Sequence, residues 1–228
     1  MPTHGEDLLT TLAQKAAPDK AALVVIDVQN DFLAPGGYFD RVGYDLAHAR
    51  AAIPPLQRLV VKAREARVPT IFIQAIYDPP VLSPAMRERN RRRNLDVSRC
   101  LTGSWGADFY EVRPLPGEPV VIKHRYSAFY KTELEGTLAR CGVRSLLLTG
   151  VTTDTCVEST ARDGYFRDYY VTVVADCCGA LSEQDHRGML ARADRDFATI
   201  ATSEDLIMIW EGARRAASPA LAPTSTPA

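Results

Sequence analysis

The feature that most limits how this chain can fold is a recurrence of short apolar runs with little alternation inside them. They lie at residues 22–26, 70–73, 120–122, 145–149 and 170–174, with a weaker one at 197–200. A strand that is apolar on both sides must be covered on both sides, the condition of a parallel strand between two helical layers. The stretches between the runs carry helical marks. Pro54 and Pro55 open one helix, and Leu56, Leu59, Val60 and Ala63 then share a face. Thr132 with Glu135 forms a capping-box pattern ahead of Leu138, and Thr155 with Glu158 forms another. Ser182 suits the N-cap of a helix carrying Met189, Leu190 and Ala193. Strand and helix in alternation predict an α/β fold: a three-layer α-β-α domain on a doubly wound, mostly parallel sheet. That domain spans 21–215, behind an N-terminal extension at 1–20. A tail at 216–228, mostly Pro, Ala, Ser and Thr, is expected to be disordered.

Composition removes several functions. A net charge of −1 over 228 residues gives no general pull toward nucleic acid or a membrane surface. No apolar run approaches the roughly 20 residues of a membrane span, and residues 1–20 lack the apolar stretch of a signal peptide. The five cysteines include no CxxC pair, which points to a reducing cytoplasm rather than a disulfide framework. No glycine-rich phosphate loop is present, so no nucleotide cofactor is expected. The four histidines, His4, His48, His124 and His186, are not at ligand spacing, and no metal site is expected.

In doubly wound sheets, ligands bind beyond the carboxyl ends of the strands. Here the first run ends at Asp27, the third at Lys123, and the fourth leads to Cys156. Cys156 stands at a strand-to-helix turn, ahead of a helix-compatible stretch from 156 to 168. Outward N–H groups and the helix dipole at such a turn are expected to lower a thiol pKa and favour the nucleophilic thiolate. Asp27 can then serve as a base, and the Lys123 ammonium can hold both anions in place. Phe32, Gln74, Trp105 and Tyr126 are candidates for substrate contact. Cys100, Cys141, Cys177 and Cys178 read as small buried hydrophobes. The basic run from Arg87 to Arg93 reads as a solvated helix face or an oligomer contact, rather than as recognition of an anionic substrate.

Three segments carry a family resemblance. Val25-Ile26-Asp27-Val28-Gln29-Asn30-Asp31-Phe32, Lys123-His124-Arg125-Tyr126-Ser127-Ala128-Phe129 and Thr149-Gly150-Val151-Thr152-Thr153-Asp154-Thr155-Cys156-Val157 resemble, in that order, the three motifs of the isochorismatase-like cysteine hydrolases. The resemblance runs from about Ala21 to about Leu206. It implies a catalytic triad of Asp27, Lys123 and Cys156. It also implies a cis peptide between Val151 and Thr152, and an oxyanion hole from the backbone N–H groups of Thr152 and Cys156. A homo-oligomer is implied as well. Pro35-Gly36-Gly37-Tyr38, Arg125-Tyr126-Ser127 and the stretch from Cys156 to Gly164 are similar to amidohydrolases of ureido compounds, the ureidoacrylate- and biuret-cleaving kinds.

Two departures bear on substrate. Nicotinamidases carry an Asp-x-His metal motif after the second strand, where this chain reads Gln74-Ala75-Ile76-Tyr77-Asp78-Pro79. Ureidoacrylate amidohydrolases carry an asparagine where Ala75 stands, so the ureido substrate stays open. The expected activity is hydrolysis of a C–N bond in a small linear amide or ureido compound, through a thioester on Cys156 and without a cofactor. The alternatives are a nicotinamidase or other carboxamidase of the same fold, and a non-catalytic small-molecule-binding protein.

Overall fold

A computed structural model describes residues 8–95 and 98–217. Each apolar run becomes a strand: β1 Ala21–Ile26, β2 Thr70–Ala75, β3 Val120–Lys123, β4 Ser145–Val151, β5 Tyr170–Gly179 and β6 Thr199–Ala201. They form one sheet in the order β3-β2-β1-β4-β5-β6, and every pairing is parallel. The helices are α1 Leu12–Lys15, α2 Asn30–Leu33, α3 Tyr38–Arg41, α4 Ala47–Ala51, α5 Ile53–Glu65, α6 Pro84–Arg92, α7 Leu134–Cys141, α8 Glu158–Tyr165, α9 Glu183–Asp196 and α10 Ser203–Ala217.

The two-sided burial inferred from the apolar runs is what the layers satisfy. Leu23 and Val25 of β1 face one core, closed by Leu56, Leu59, Val60 and Ala63 of α5 and by Leu206 and Trp210 of α10. Val24 and Ile26 face the other, closed by Leu134 and Leu138 of α7, Ala161 of α8, and Met189 and Ala193 of α9. Each such aliphatic side chain taken fully out of water contributes about 1.5–3 kcal/mol before entropy is counted. Strand order reverses between β1 and β4, and a crevice opens there at the carboxyl ends.

Gly150 permits that junction to be narrow. Its φ of +108° suits glycine, and a Cβ there would run into the backbone of Ile26. On the neighbouring strand, the residue after Ile26 is Asp27 at φ 53°, a left-handed conformation that Asp tolerates better than most residues.

Local expectations met the tertiary structure with mixed results. Ser182 does cap α9, accepting from Asp185 N at 3.1 Å. The two capping boxes do not form. Thr132 Oγ1 accepts from Leu134 N at 3.2 Å and donates to Ala128 O at 2.5 Å, a turn contact rather than a cap. Thr155 Oγ1 donates to Asp154, and Glu158 is drawn away by Arg162 and Arg192. The helix expected from Cys156 is preceded by a wide π-type turn, Thr153–Val157, and α8 proper runs over Glu158–Tyr165. The weak last strand starts two residues after the start of its run and ends one residue beyond it, because Phe197 caps the C-terminus of α9. Part of the N-terminal extension is anchored: Ala16 is buried, and its carbonyl accepts from Trp210 Nε1 at 2.8 Å. Of the tail expected to be disordered, Ala216 and Ala217 complete α10, and 218–228 lies outside the described residues.

Candidate active site

Three strand ends converge on one point. Asp27 follows β1, and its N–H donates to Ile73 O at 3.1 Å, which holds the turn against β2. Lys123 closes β3, two strands away, and its long side chain crosses the end of β2. Its Nζ reaches to 2.8 Å from Asp27 Oδ2 and donates to Cys156 Sγ at 3.4 Å and to Arg125 O at 2.8 Å. Those three contacts occupy all three ammonium donors. Cys156 rides on the wide turn after β4, where Thr160 Oγ1 holds its carbonyl at 2.8 Å. The Val151–Thr152 peptide at the head of that turn is cis.

Burial governs the electrostatics. Asp27 and Lys123 are 0% exposed and Cys156 is 8% exposed. Loss of water raises the Asp27 carboxyl above its ordinary range, and the nearby Lys123 only partly opposes this. No backbone amide or hydroxyl among the described residues donates to either buried Asp27 oxygen. Burial alone would lower Lys123, but the charges of Asp27 and Cys156 hold it well above its usual value. The Cys156 thiol is pushed up to about 12, first by burial and then by the Asp27 charge, against the pull of Lys123. This corrects the expectation of a lowered thiol pKa. The turn geometry is present, but water exclusion and an adjacent carboxylate outweigh it. Burial thus favours the thiol over the thiolate, and Asp27 is the group placed to accept its proton.

Asp27 and Cys156, with Lys123 buried behind them, line the floor of a cavity of ≈ 230 Å³. Thr152 lines it beside Cys156, and an aromatic wall is supplied by Phe32, Tyr38, Phe39, Tyr44, Tyr77 and Tyr126. Of the four substrate-contact candidates, Phe32 and Tyr126 are in this wall. Gln74 and Trp105 are not in the lining. Gln74 Nε2 donates to Ala107 O at 2.8 Å, and Trp105 is 54% exposed while its carbonyl accepts from Asn30 Nδ2 at 2.7 Å.

The opening motif turns out to be a set of staples as well as a source of Asp27. Gln29 donates to Ala75 O and Ala107 O and accepts from Ala75 N. Asp31 accepts from Tyr38 N at 2.9 Å and from Cys100 N at 2.6 Å. One buried carboxylate thus ties two wall-bearing segments to α2. Gly106 lies against it so closely that any Cβ would strike the carboxylate.

Sequence reasoning missed the arginines. The basic run divides: Arg89 and Arg93, one helical turn apart, line the cavity, whereas Arg92 pairs outside with Glu88 at 2.9 Å. Arg99, also in the lining, is 9% exposed and has its guanidinium over the rings of Tyr38 and Tyr77, at 5.4 and 5.1 Å from their centroids. The four-residue spacing of Arg89 and Arg93 was a visible signal, but the face it would present was not. Among the described residues no three His, Cys, Asp or Glu side chains are grouped to hold a metal, and no helix is long and apolar enough to cross a membrane.

Known proteins share this arrangement of strands. The isochorismatase domain matches residues 21–205, and the chain belongs to that family of hydrolases. Among its relatives, a ureidoacrylate amidohydrolase of Methylobacterium radiotolerans is 37% identical, over 87% of this chain and 83% of its own. A crystal structure of a cysteine hydrolase from Pseudomonas syringae pv. phaseolicola superposes with a TM-score of 0.75 at 26% identity, covering 86% of this chain and 94% of that one. An N-carbamoylsarcosine amidase from Thermoplasma acidophilum superposes with a TM-score of 0.65 at 28% identity, covering 81% and 97%.

Proposed function

We propose that this chain is a cysteine amidohydrolase that cleaves a C–N bond of a small ureido or amide compound through a thioester on Cys156. The observation that carries the proposal is the Lys123 ammonium within reach of both the Asp27 carboxylate and the Cys156 sulfur on a cavity floor. Asp27 takes the thiol proton as sulfur forms its bond to the substrate carbonyl carbon. Negative charge moves to the carbonyl oxygen, toward the backbone N–H groups of Thr152 and Cys156. The intermediate collapses, the C–N bond breaks, and Asp27 returns its proton to the leaving nitrogen. A water then loses a proton to Asp27 and attacks the thioester. Sulfur leaves, recovers the proton, and the acid departs. Lys123 keeps its charge throughout and steadies the extra negative charge that either attack brings into a buried site.

The names of two relatives, a ureidoacrylate amidohydrolase and an N-carbamoylsarcosine amidase, favour a ureido group as the portion held at the sulfur. A reducing cytoplasmic setting belongs to this reading and is supported by five free cysteines. So does a homo-oligomer, supported by Val120 and Ile122 exposed on the edge strand β3. The test is ammonia release from a panel of ureido compounds, linear amides and nicotinamide. A ureido member should exceed nicotinamide in kcat/KM by on the order of 10⁴, the scale at which an unmatched hydrogen-bonding site rejects a substrate. Nicotinamide as the better substrate would replace this reading by the carboxamidase one.

A further inference from the structure

The cavity is more basic than hydrolysis at its floor requires. Three arginines, Arg89, Arg93 and Arg99, enter its lining from two segments, α6 with its C-terminal end and the stretch after it. Among the described residues of the lining one carboxylate stands against them, Asp154, since Asp27 is already matched by Lys123. Among the described residues no carboxylate pairs with any of the three, although Arg92 on the outer face of the same helix does have such a partner. The Arg99 guanidinium lies over the rings of both Tyr38 and Tyr77, which hold it in the cavity wall by cation–π contact, and its N–H donors are the kind that meet a planar anion in pairs. Arginine side chains with this character recognise carboxylates through paired, charge-assisted hydrogen bonds.

We infer that Arg89, Arg93 and Arg99 form an anion subsite, and that the substrate is a ureido or amide acid whose carboxylate binds there while its scissile carbonyl reaches Cys156. The inference rests on the amidohydrolase reading for the second half of that statement and on the cavity wall for the first. A carboxylate in this position also sets the register of the substrate, because the arginines stand on the walls and the sulfur on the floor.

A matched pair of probes tests it. The acid 3-ureidopropionate and the neutral 1-butylurea share the ureido group and the chain length and differ at the far end. The wild-type enzyme should favour the acid by about 10²-fold in kcat/KM, with a preference that shrinks as salt is added. Arg99→Gln and Arg93→Gln should each lower that ratio by about 10–100-fold, the usual scale for one charge-assisted contact. Arg99→Lys, which keeps the charge and loses the fork, should fall between. Arg92→Gln, on the outer face, should leave the ratio where it was. Arg93 is exposed, so its variant still tests the inference if Arg99→Gln does not fold. A wild-type ratio near one, or a ratio indifferent to Arg93 and Arg99, overturns the subsite. If neither probe releases ammonia, calorimetry on the same proteins reads the same ratio as binding. Arginine-dependent binding of the acid would then uphold the subsite and overturn the amidohydrolase reading alone. No measurable binding of the acid overturns the subsite.

Discussion

The floor and the walls of the cavity are made by different kinds of structure. The floor comes from strand ends. Asp27, Lys123 and Cys156 leave β1, β3 and β4 and are almost wholly buried, and each touches another of the three. The walls come from short helices and connections: Phe32 from α2, Tyr38 from α3, Arg89 from α6, and Tyr77 and Arg99 from the segments around it. Other wall residues, Tyr44 and Tyr126, are exposed, and the wall segments are tied to the body through a few polar staples such as Asp31. The difference separates two tasks. The floor is where a displaced atom stops chemistry, and the walls are where a changed residue alters which molecule is accepted.

The comparison is most exposed to failure at sulfur. Cys156→Ser keeps the shape of the side chain and replaces a polarisable nucleophile by a hydroxyl that the buried Asp27 activates poorly. Its kcat should fall by roughly 10³ or more with the fold unchanged by circular dichroism. Ammonia release close to wild type would show that the floor has been assigned to the wrong residue.

Lys123→Met is a smaller perturbation of rate and a larger one of stability. It leaves the Asp27 carboxylate buried without its cation, a loss of about 3–5 kcal/mol by denaturant titration. Its pH profile gives a second readout. Asp27 must be ionised to accept the thiol proton, and burial already raises its pKa, so kcat/KM should climb with pH through a limb above the ordinary carboxylate range. Lys123 is a lowering influence on that group. Its removal should therefore move the limb to higher pH, and a limb that stays put would break the assignment of Asp27 as base.

At the walls the effects should be smaller and differently distributed. Asp31→Asn weakens the contacts to Tyr38 N and Cys100 N while leaving every floor residue in place. Loss of charge assistance on two such bonds loosens the segments that carry Tyr38 and Arg99. KM should rise about tenfold with kcat within a few-fold of wild type. A fall in kcat alone would mean that floor and walls are not separable.

The same division decides what could be read from the sequence. Strands announce themselves by apolar runs, and a reactive residue that ends such a run is placed by the sheet, so Asp27, Lys123 and Cys156 were legible together. Their proton balance was not. The turn after β4 argued for a thiolate, but the degree of burial, which decides against it, is a tertiary property. Helix positions followed periodicity, as with Leu56 and Leu59 on α5, whereas the capping boxes at Thr132 and Thr155 yielded to longer-range partners. Wall residues were the least legible. Nothing local says that Arg89 and Arg93 turn inward while Arg92 turns out, because the roll of α6 depends on contacts such as those of its buried Asn90. Gln74 and Trp105 looked like contacts by residue type and proved to be engaged elsewhere or exposed.

The smallest expected effect concerns metal ions. A floor that uses a lysine to hold the carboxylate and face the sulfur already has its cation, and its three donors are all engaged there and at Arg125 O. The segment after β2 carries no histidine, and the described residues offer no group of three ligating side chains. Dialysis against a strong chelator should therefore leave kcat/KM unchanged within error, for the acid and the neutral ureido probe alike. A loss restored by zinc, iron or manganese would place a second cation near Lys123. Asp27 would then be competing between a proton and a metal, and the separation between a floor that does chemistry and walls that choose the substrate would need redrawing around that ion.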